Sequence, residues 1–205
     1  MEQSSIYLVT PVASQEFVDR YIDDTTLCFG IDAGVLTLKD KKGYIGAIGD
    51  FDSLKNVHQL DGIANIVYLN CEKDETDTKV AIEYVRNLGY SRIVVLGGFM
   101  GKRIDHAIVN YILAFCYPNV LWIDEHSSIV CVNETIQLSQ DDYDYFSLFT
   151  LESCTVTIKN AKYNLDHYAL KANDALCVSN TWVDHKDVCI CVEKGALLVM
   201  RTKEK

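Results

Sequence analysis

Around residues 124–126 the spacing of apolar residues changes period, and no other feature of the chain limits its fold so strongly. Upstream, short apolar runs alternate with helical patterns. The runs at 6–10 (IYLVT), 26–31 (TLCFGI), 44–48, 66–69 (IVYL), 93–96 (IVVL) and 120–123 (VLWI) read as strands. Helices are expected at 14–21 with Ser14 as N-cap, at 76–88, and at 104–116, the last ending before Pro118. In the second of these, Val80, Ala81, Tyr84, Val85 and Leu88 form one stripe, and Gly89 follows as a stop. Strands interleaved with helices predict an α/β domain with an open, mostly parallel sheet.

Downstream the pattern is short and alternating: 128–132 (SIVCV), 145–150 (YFSLFT), 154–160 (CTVTIKN), 175–180 (ALCVSN), 187–192 (DVCICV) and 196–200 (ALLVM). No helix of ordinary length is visible there, which predicts an antiparallel sandwich or flattened barrel. The expected domains are therefore 1–125 and 126–205, without a Pro- or Gly-rich linker between them.

Composition excludes several classes. The 205 residues carry a net charge of −10, and the only basic clusters are Lys39, Lys41, Lys42 and the RTKEK tail. Nucleic acid is disfavoured as a partner, because phosphate neutralisation needs clustered Lys and Arg. No apolar run of about 18 residues exists to span a membrane. The N-terminus lacks a basic stretch followed by a long apolar core, so it does not read as a signal peptide. Eight scattered cysteines without a CxxC pair suit reduced thiols in a cytoplasmic setting better than a disulfide framework. Cys189 and Cys191 share one strand face, but two thiols do not define a zinc site.

Three segments carry chemistry. The first is GDFDS at 49–53, where an apolar strand runs into Asp50 and Asp52. Carboxylates two apart at a strand end point the same way and repel unless a cation joins them; Mg²⁺, which takes carboxylate, phosphate and water oxygens, suits the pair. A solvated Asp/Ser turn is the competing reading of a lone DxD, but ligands do bind at the carboxyl ends of strands in open α/β sheets. The second is EKDETDTK at 72–79. Asp74 or Thr76 can cap the helix that follows, and this accounts for most of the motif. Asp74 and Asp77 also share a side of the first turn, and Lys73 is within reach of a phosphate. The third is the strand–loop–helix junction GGFMGKRIDH at 97–106. Its backbone N–H groups favour anions, and glycine permits close approach. Arg103, His106 and Asn110 line one helix face. A single apolar-flanked histidine is often just a hydrogen-bonded core residue; three polar residues on one face make that less apt here. The loop is neither a Walker A motif nor a dinucleotide fingerprint: Arg103 stands where Ser or Thr should follow the Lys, and Phe99 where the second glycine should be.

In this order, an acid after the second strand (Asp32, in GIDAG), then GDFDSL, KDETDT and the GG-x-x-G-x-R-x-DH loop, the chain resembles the thiamine pyrophosphokinase family. Val178-Ser179-Asn180-Thr181 is similar to that family's thiamine-binding portion. The resemblance implies transfer of a pyrophosphoryl group from ATP to the thiamine hydroxyl, giving thiamine diphosphate and AMP. It implies a homodimer with a Rossmann-like α/β nucleotide domain and a β-sandwich thiamine-binding and dimerisation domain. Asp32, Asp50, Asp52 and Asp77 correspond to acids around Mg²⁺ and the reacting phosphates, with Asp50, Asp52 and Asp77 as metal ligands and Asp74 in the same acidic motif. The nucleotide would be held by Asp32, Ser53, Thr76, Arg103, Asp105 and His106, and thiamine by Ser179 and Asn180.

Three departures stand out. DAGVL replaces the usual DGGAN at 32–36, Lys102 replaces a common glycine, and no tryptophan stands in the 196–200 tail where some members stack thiamine. Trp182 reads as a core or interface residue. The rival readings are the same chemistry on thiamine monophosphate or a related pyrimidine, a non-catalytic nucleotide sensor, and an oxidoreductase disfavoured by the broken fingerprint. The acidic 141–145 stretch (DDYDY) reads as a solvated turn.

Overall fold

The computed structural model describes residues 5–54, 56–70 and 74–204. Lys73, considered above for phosphate, and Cys71 lie outside the described residues. The chain divides into two compact units, Met1–Asn110 and Tyr111–Lys205.

The first unit is α/β. Strands β1 (Ile6–Val9), β2 (Cys28–Ile31), β3 (Tyr44–Gly49), β4 (Ile66–Tyr68) and β5 (Ile93–Leu96) lie in the order β4-β3-β2-β1-β5. All their pairings are parallel. Strands 2 and 5 are short and rich in buried apolar residues, as a sheet covered on both faces requires. Helix α1 (Gln15–Tyr21) starts where Ser14 accepts a hydrogen bond from the Phe17 N–H at 3.2 Å. Helix α2 (Asp77–Asn87) is capped by Thr76, which accepts from the Lys79 N–H at 3.3 Å, and it buries Ala81, Ile82 and Val85. Of the two N-caps allowed by sequence, Thr76 is the one used. Helix α3 (Ile104–Cys116) keeps its expected bounds.

Parallel order puts the carboxyl ends of β1, β2, β3 and β5 side by side. Val9 pairs with both Gly30 and Leu96, and Ile31 pairs with Ile48. Thr10, Asp32, Asp50 and Gly97 therefore leave the sheet at one edge. The apolar pattern predicts no helix or strand over 32–38; there the chain turns at once into a 3₁₀ helix, Asp32–Leu38.

The second unit holds two antiparallel arrangements. Strands β6 (Val120–Ile123), β7 (Ser127–Val132), β13 (Leu197–Thr202) and β9 (Tyr145–Phe149) lie in that order. Strands β11 (Leu165–Lys171), β10 (Ser153–Lys159), β12 (Val188–Lys194) and β8 (Ile136–Leu138) form the other sheet. Leu148, Leu197 and Val199 from the first and Val156, Ile158 and Ile190 from the second share one apolar core. Trp182 is in it: its Nε1–H donates to the Leu138 carbonyl at 2.8 Å and its ring meets Phe146 at 5.0 Å.

Three details differ from the sequence pattern. Residues 175–180 are not a strand; Leu176 and Val178 are exposed, and Ser179 has φ +57, which breaks extended backbone. Leu165–Lys171 and Ile136–Leu138 are strands the pattern did not reveal, the former because it buries little besides Leu170. The 141–145 stretch is anchored rather than merely solvated. Asp141 pairs with Arg201 at 2.7 Å, Asp142 pairs with Lys203, and the Arg201 guanidinium lies 4.4 Å over the Tyr143 ring. The seven described cysteines are free thiols. No helix among the described residues is long and apolar enough to cross a membrane.

Candidate active site

Asp32, the first residue after β2, is 8% exposed. Its backbone has φ +46, and Phe51, between Asp50 and Asp52, has φ +59. Left-handed backbone at two non-glycine residues costs free energy and concentrates where function needs a particular geometry. Gly49 makes the approach possible: a Cβ there would sit 2.8 Å from the Asp32 Cα. Without that side chain the end of β3 passes close to Asp32, and Asp50 and Asp52 follow.

The result is a convergence of acids. Ligand oxygens of Asp32, Asp50 and Asp52 lie within 4.8 Å of one another. The Ser53 hydroxyl donates to Oδ2 of Asp32 at 2.6 Å. Oδ1 of Asp32 is buried without a hydrogen-bond partner. Burial pushes the Asp32 carboxyl above its ordinary value; Ser53 and the Ala33 N–H oppose the shift, and the charges of Asp77 and Asp50 add to it. A buried, partnerless oxygen among like charges fits a hard divalent cation, which takes carboxylate oxygens. No other group of three or more such ligands occurs among the described residues.

Asp32 also lines a cavity of about 530 Å³ in the first unit, with Asp74, Thr76, Asp77, Arg103 and His106. Thus α2 presents its first turn to the cavity and α3 presents the face bearing Arg103, His106 and Asn110. Arg103 is exposed and forks onto Asp105, with Nε 3.0 Å from Oδ1 and Nη2 2.5 Å from Oδ2. The guanidinium holds the Asp105 carboxyl down at about 2. His106 is exposed, so it is not a core histidine. Asp77 faces the cavity with Asp32 and lies outside the 4.8 Å cluster.

Ser179 and Asn180 belong to the second unit. Asn180 is buried; its Oδ1 accepts from the Tyr163 and Thr181 N–H groups at 3.0 and 2.9 Å, and its Nδ2 donates to the Tyr163 carbonyl at 2.7 Å. It borders a mostly apolar cavity of about 370 Å³ with Tyr163, Leu165, Leu176 and Val178. The Ser179 N–H donates to the Ser147 hydroxyl at 3.0 Å. Among the cavity-lining residues, Asn110 has the clearest unassigned role. Its spacing from Arg103 and His106 was the available signal.

Acids gathered at the carboxyl end of a parallel sheet, beside a glycine loop and an arginine, form in an α/β unit the kind of donor set that suits a cation next to an anion. Comparison with known proteins narrows this class. The family model for "Thiamin pyrophosphokinase, catalytic domain" matches residues 18–120, and that for "Thiamin pyrophosphokinase, vitamin B1 binding domain" matches 133–197. The chain belongs to the thiamin pyrophosphokinase family. Thiamine pyrophosphokinase of Bacillus subtilis (strain 168) is 27% identical over 197 residues, covering 90% of this chain and 91% of that one. The crystal structure of thiamine pyrophosphokinase from Bacillus subtilis superposes with a TM-score of 0.83 at 25% identity, over 98% of this chain and 100% of that one. Thiamin pyrophosphokinase from Candida albicans gives a TM-score of 0.74 at 13% identity, over 98% and 90%, a likeness of fold alone.

Proposed function

We propose that this chain transfers a pyrophosphoryl group from ATP to the hydroxyl of thiamine, yielding thiamine diphosphate and AMP. One observation carries the reading. The Asp32–Asp50–Asp52 cluster adjoins the cavity lined by Arg103 and His106, in a chain that matches both the catalytic and the vitamin B1 binding models of its family.

Residues 1–125 act as a Rossmann-like nucleotide domain and residues 126–205 as a β-sandwich that binds thiamine and dimerises. Asp32, Asp50 and Asp52 would hold Mg²⁺, with Asp77 nearby at the mouth of α2. When bound, that ion neutralises the charge that develops on phosphate oxygens during in-line displacement. Arg103 and the N–H groups of the glycine loop bind phosphate oxygens. Asp105 keeps the Arg103 guanidinium oriented, and His106 adds a donor on the same helix face. Ser53 orients Asp32, and Thr76 fixes the start of α2 that carries Asp77. Asp77 or Asp74 accepts the proton of the attacking hydroxyl or orients it. Thiamine's cationic ring suits an acidic protein, and Ser179 and Asn180 mark its place beside the smaller cavity. Exposed Ile104, Ile108 and Ile112 on α3, and exposed Tyr163, Leu176 and Val178, are apolar surface that a homodimer would cover. The setting is cytoplasmic, and neither nucleic acid nor membrane is a partner.

A coupled assay of AMP release tests the reading. AMP should appear only with ATP, Mg²⁺ and thiamine together. Equal or faster release with thiamine monophosphate would reassign the acceptor, and ATP binding without AMP release would make the chain a sensor.

A further inference from the structure

Asn110 differs from its neighbours on the active face of α3. Arg103 and His106 are exposed, whereas Asn110 is 6% exposed, although all three line the same cavity. Its side-chain Nδ2 donates to the carbonyl of Gly98 at 2.8 Å, a buried bond that ties the helix to the glycine loop.

That loop has little conformational preference of its own. Gly97, Gly98 and Gly101 have φ of +78, +124 and +122, where glycine is favoured and where its backbone freedom is costly to restrict. External bonds must select one shape. At the upstream end, the Leu96 carbonyl accepts from both the N–H and the hydroxyl of Thr10, each at 3.1 Å. A Cβ on Gly97 would lie 2.5 Å from that hydroxyl, so the loop is seated closely at this end. Asn110 supplies the second hold, two residues further on. In a trans peptide the carbonyl and the following N–H point in opposite directions. Fixing the Gly98 carbonyl against α3 therefore fixes the direction of the Phe99 N–H.

We propose that Asn110 is a positioning residue for phosphate recognition: its amide clamps the Gly98 carbonyl and so holds the loop N–H groups in the arrangement that receives the nucleotide's polyphosphate. This rests on the reading of the cavity as the ATP site. Asn110 acts through the loop and carries no charge, so its loss weakens nucleotide binding without changing the salt dependence of that binding.

The test compares wild type with Asn110→Leu, which keeps much of the shape, removes the donor and adds no charge, and with Asn110→Ala. KM for ATP should rise about tenfold in both, the effect expected when a buried carbonyl loses its partner, while KM for thiamine moves less than twofold. Hydrogen exchange without ligands should speed up at residues 98–101 and stay unchanged in β1 and α2. An unchanged KM for ATP with unchanged loop exchange would overturn the proposal. So would a loss of kcat with both KM values unaltered, which marks a smaller folded fraction. If one variant fails to fold, the other carries both arms. If wild type releases no AMP with thiamine, the functional reading fails, and the exchange arm still decides whether Asn110 holds the loop.

Discussion

The Ser53 hydroxyl donates to one oxygen of Asp32 at 2.6 Å, and the other oxygen of that carboxylate is buried with no hydrogen-bond partner. Ser53 thereby fixes the rotation of the group and leaves its free oxygen among the acids. The arrangement is costly for a bare carboxylate and favourable for one that meets a cation.

Asp32→Asn should accordingly stabilise the metal-free protein while removing its response to metal. Burial raises the folded-state pKa of Asp32 above the ordinary 3.8. The favourable protonated form is fully present below that ordinary value, and its stability is lost as pH rises through the raised pKa. At pH ~7 the wild type bears the whole cost and the asparagine none. Thermal melts in EDTA should give the variant the higher Tm at neutral pH, with the gap closing at low pH. Added Mg²⁺ should raise the wild-type Tm and leave the variant where it was.

Asp52 is exposed, so its loss should spare the fold. Asp52→Asn should keep its Tm and lose turnover by about a hundredfold or more, the scale on which single electrostatic groups act in catalysis. Steady-state AMP release alongside circular dichroism checks both halves. Near-full activity would remove Asp52 from the metal site.

Trp182 is a core residue, with its Nε1–H on the Leu138 carbonyl and its ring against Phe146. Trp182→Phe removes the donor and leaves space in the packing. A loss of about 1–3 kcal/mol in urea-derived stability is expected, with KM for thiamine unchanged. A large rise in that KM instead would place the ring against the substrate.

His167 and Glu193 give a pH dependence within the second unit. His167 Nδ1 lies 2.6 Å from Glu193, which also accepts from the Thr157 hydroxyl at 2.6 Å. Glu193 raises the imidazole pKa above 6.5, so the favourable contribution of His167 is complete below that value and is lost as pH rises through the raised one. Glu193 is lowered from 4.5, by Thr157 first and His167 second, so its contribution is present above that value and lost on acidification. The Tm difference between wild type and His167→Gln should peak between these two ordinary values, near pH ~5–6, and vanish in alkali. A difference independent of pH would mean that the ion pair contributes nothing.

Local pattern carried much of the first unit. The Ser14 cap and the apolar runs of β1, β2 and β5 are local properties, and the chain folds accordingly; the α2 stripe holds at Ala81 and Val85, whereas Leu88, at the helix C-cap, is exposed and Ile82, outside the stripe, is buried. The second unit was less legible because its exposed strands bury few side chains: in Leu165–Lys171 only Leu170 is fully buried, whereas the apolar run at 175–180 is broken by the left-handed Ser179. At the site, Asp50 and Asp52 stood out by strand-end spacing. The meeting of Asp32 with them depends on the parallel register of β2 and β3 and on the missing side chain of Gly49, neither of which is visible in one segment. The Asn110 spacing was legible, but its bond to Gly98 required the loop's path.

The central claim is that Asp32, Asp50 and Asp52 together hold a divalent cation beside the nucleotide's phosphates. A crystal grown with Mn²⁺ in place of Mg²⁺ and a non-hydrolysable ATP analogue tests it through the metal's anomalous scattering. The account predicts a peak about 2.2 Å from oxygens of those carboxylates, also touching phosphate. A cation bound elsewhere, with the three side chains turned toward solvent, would contradict it.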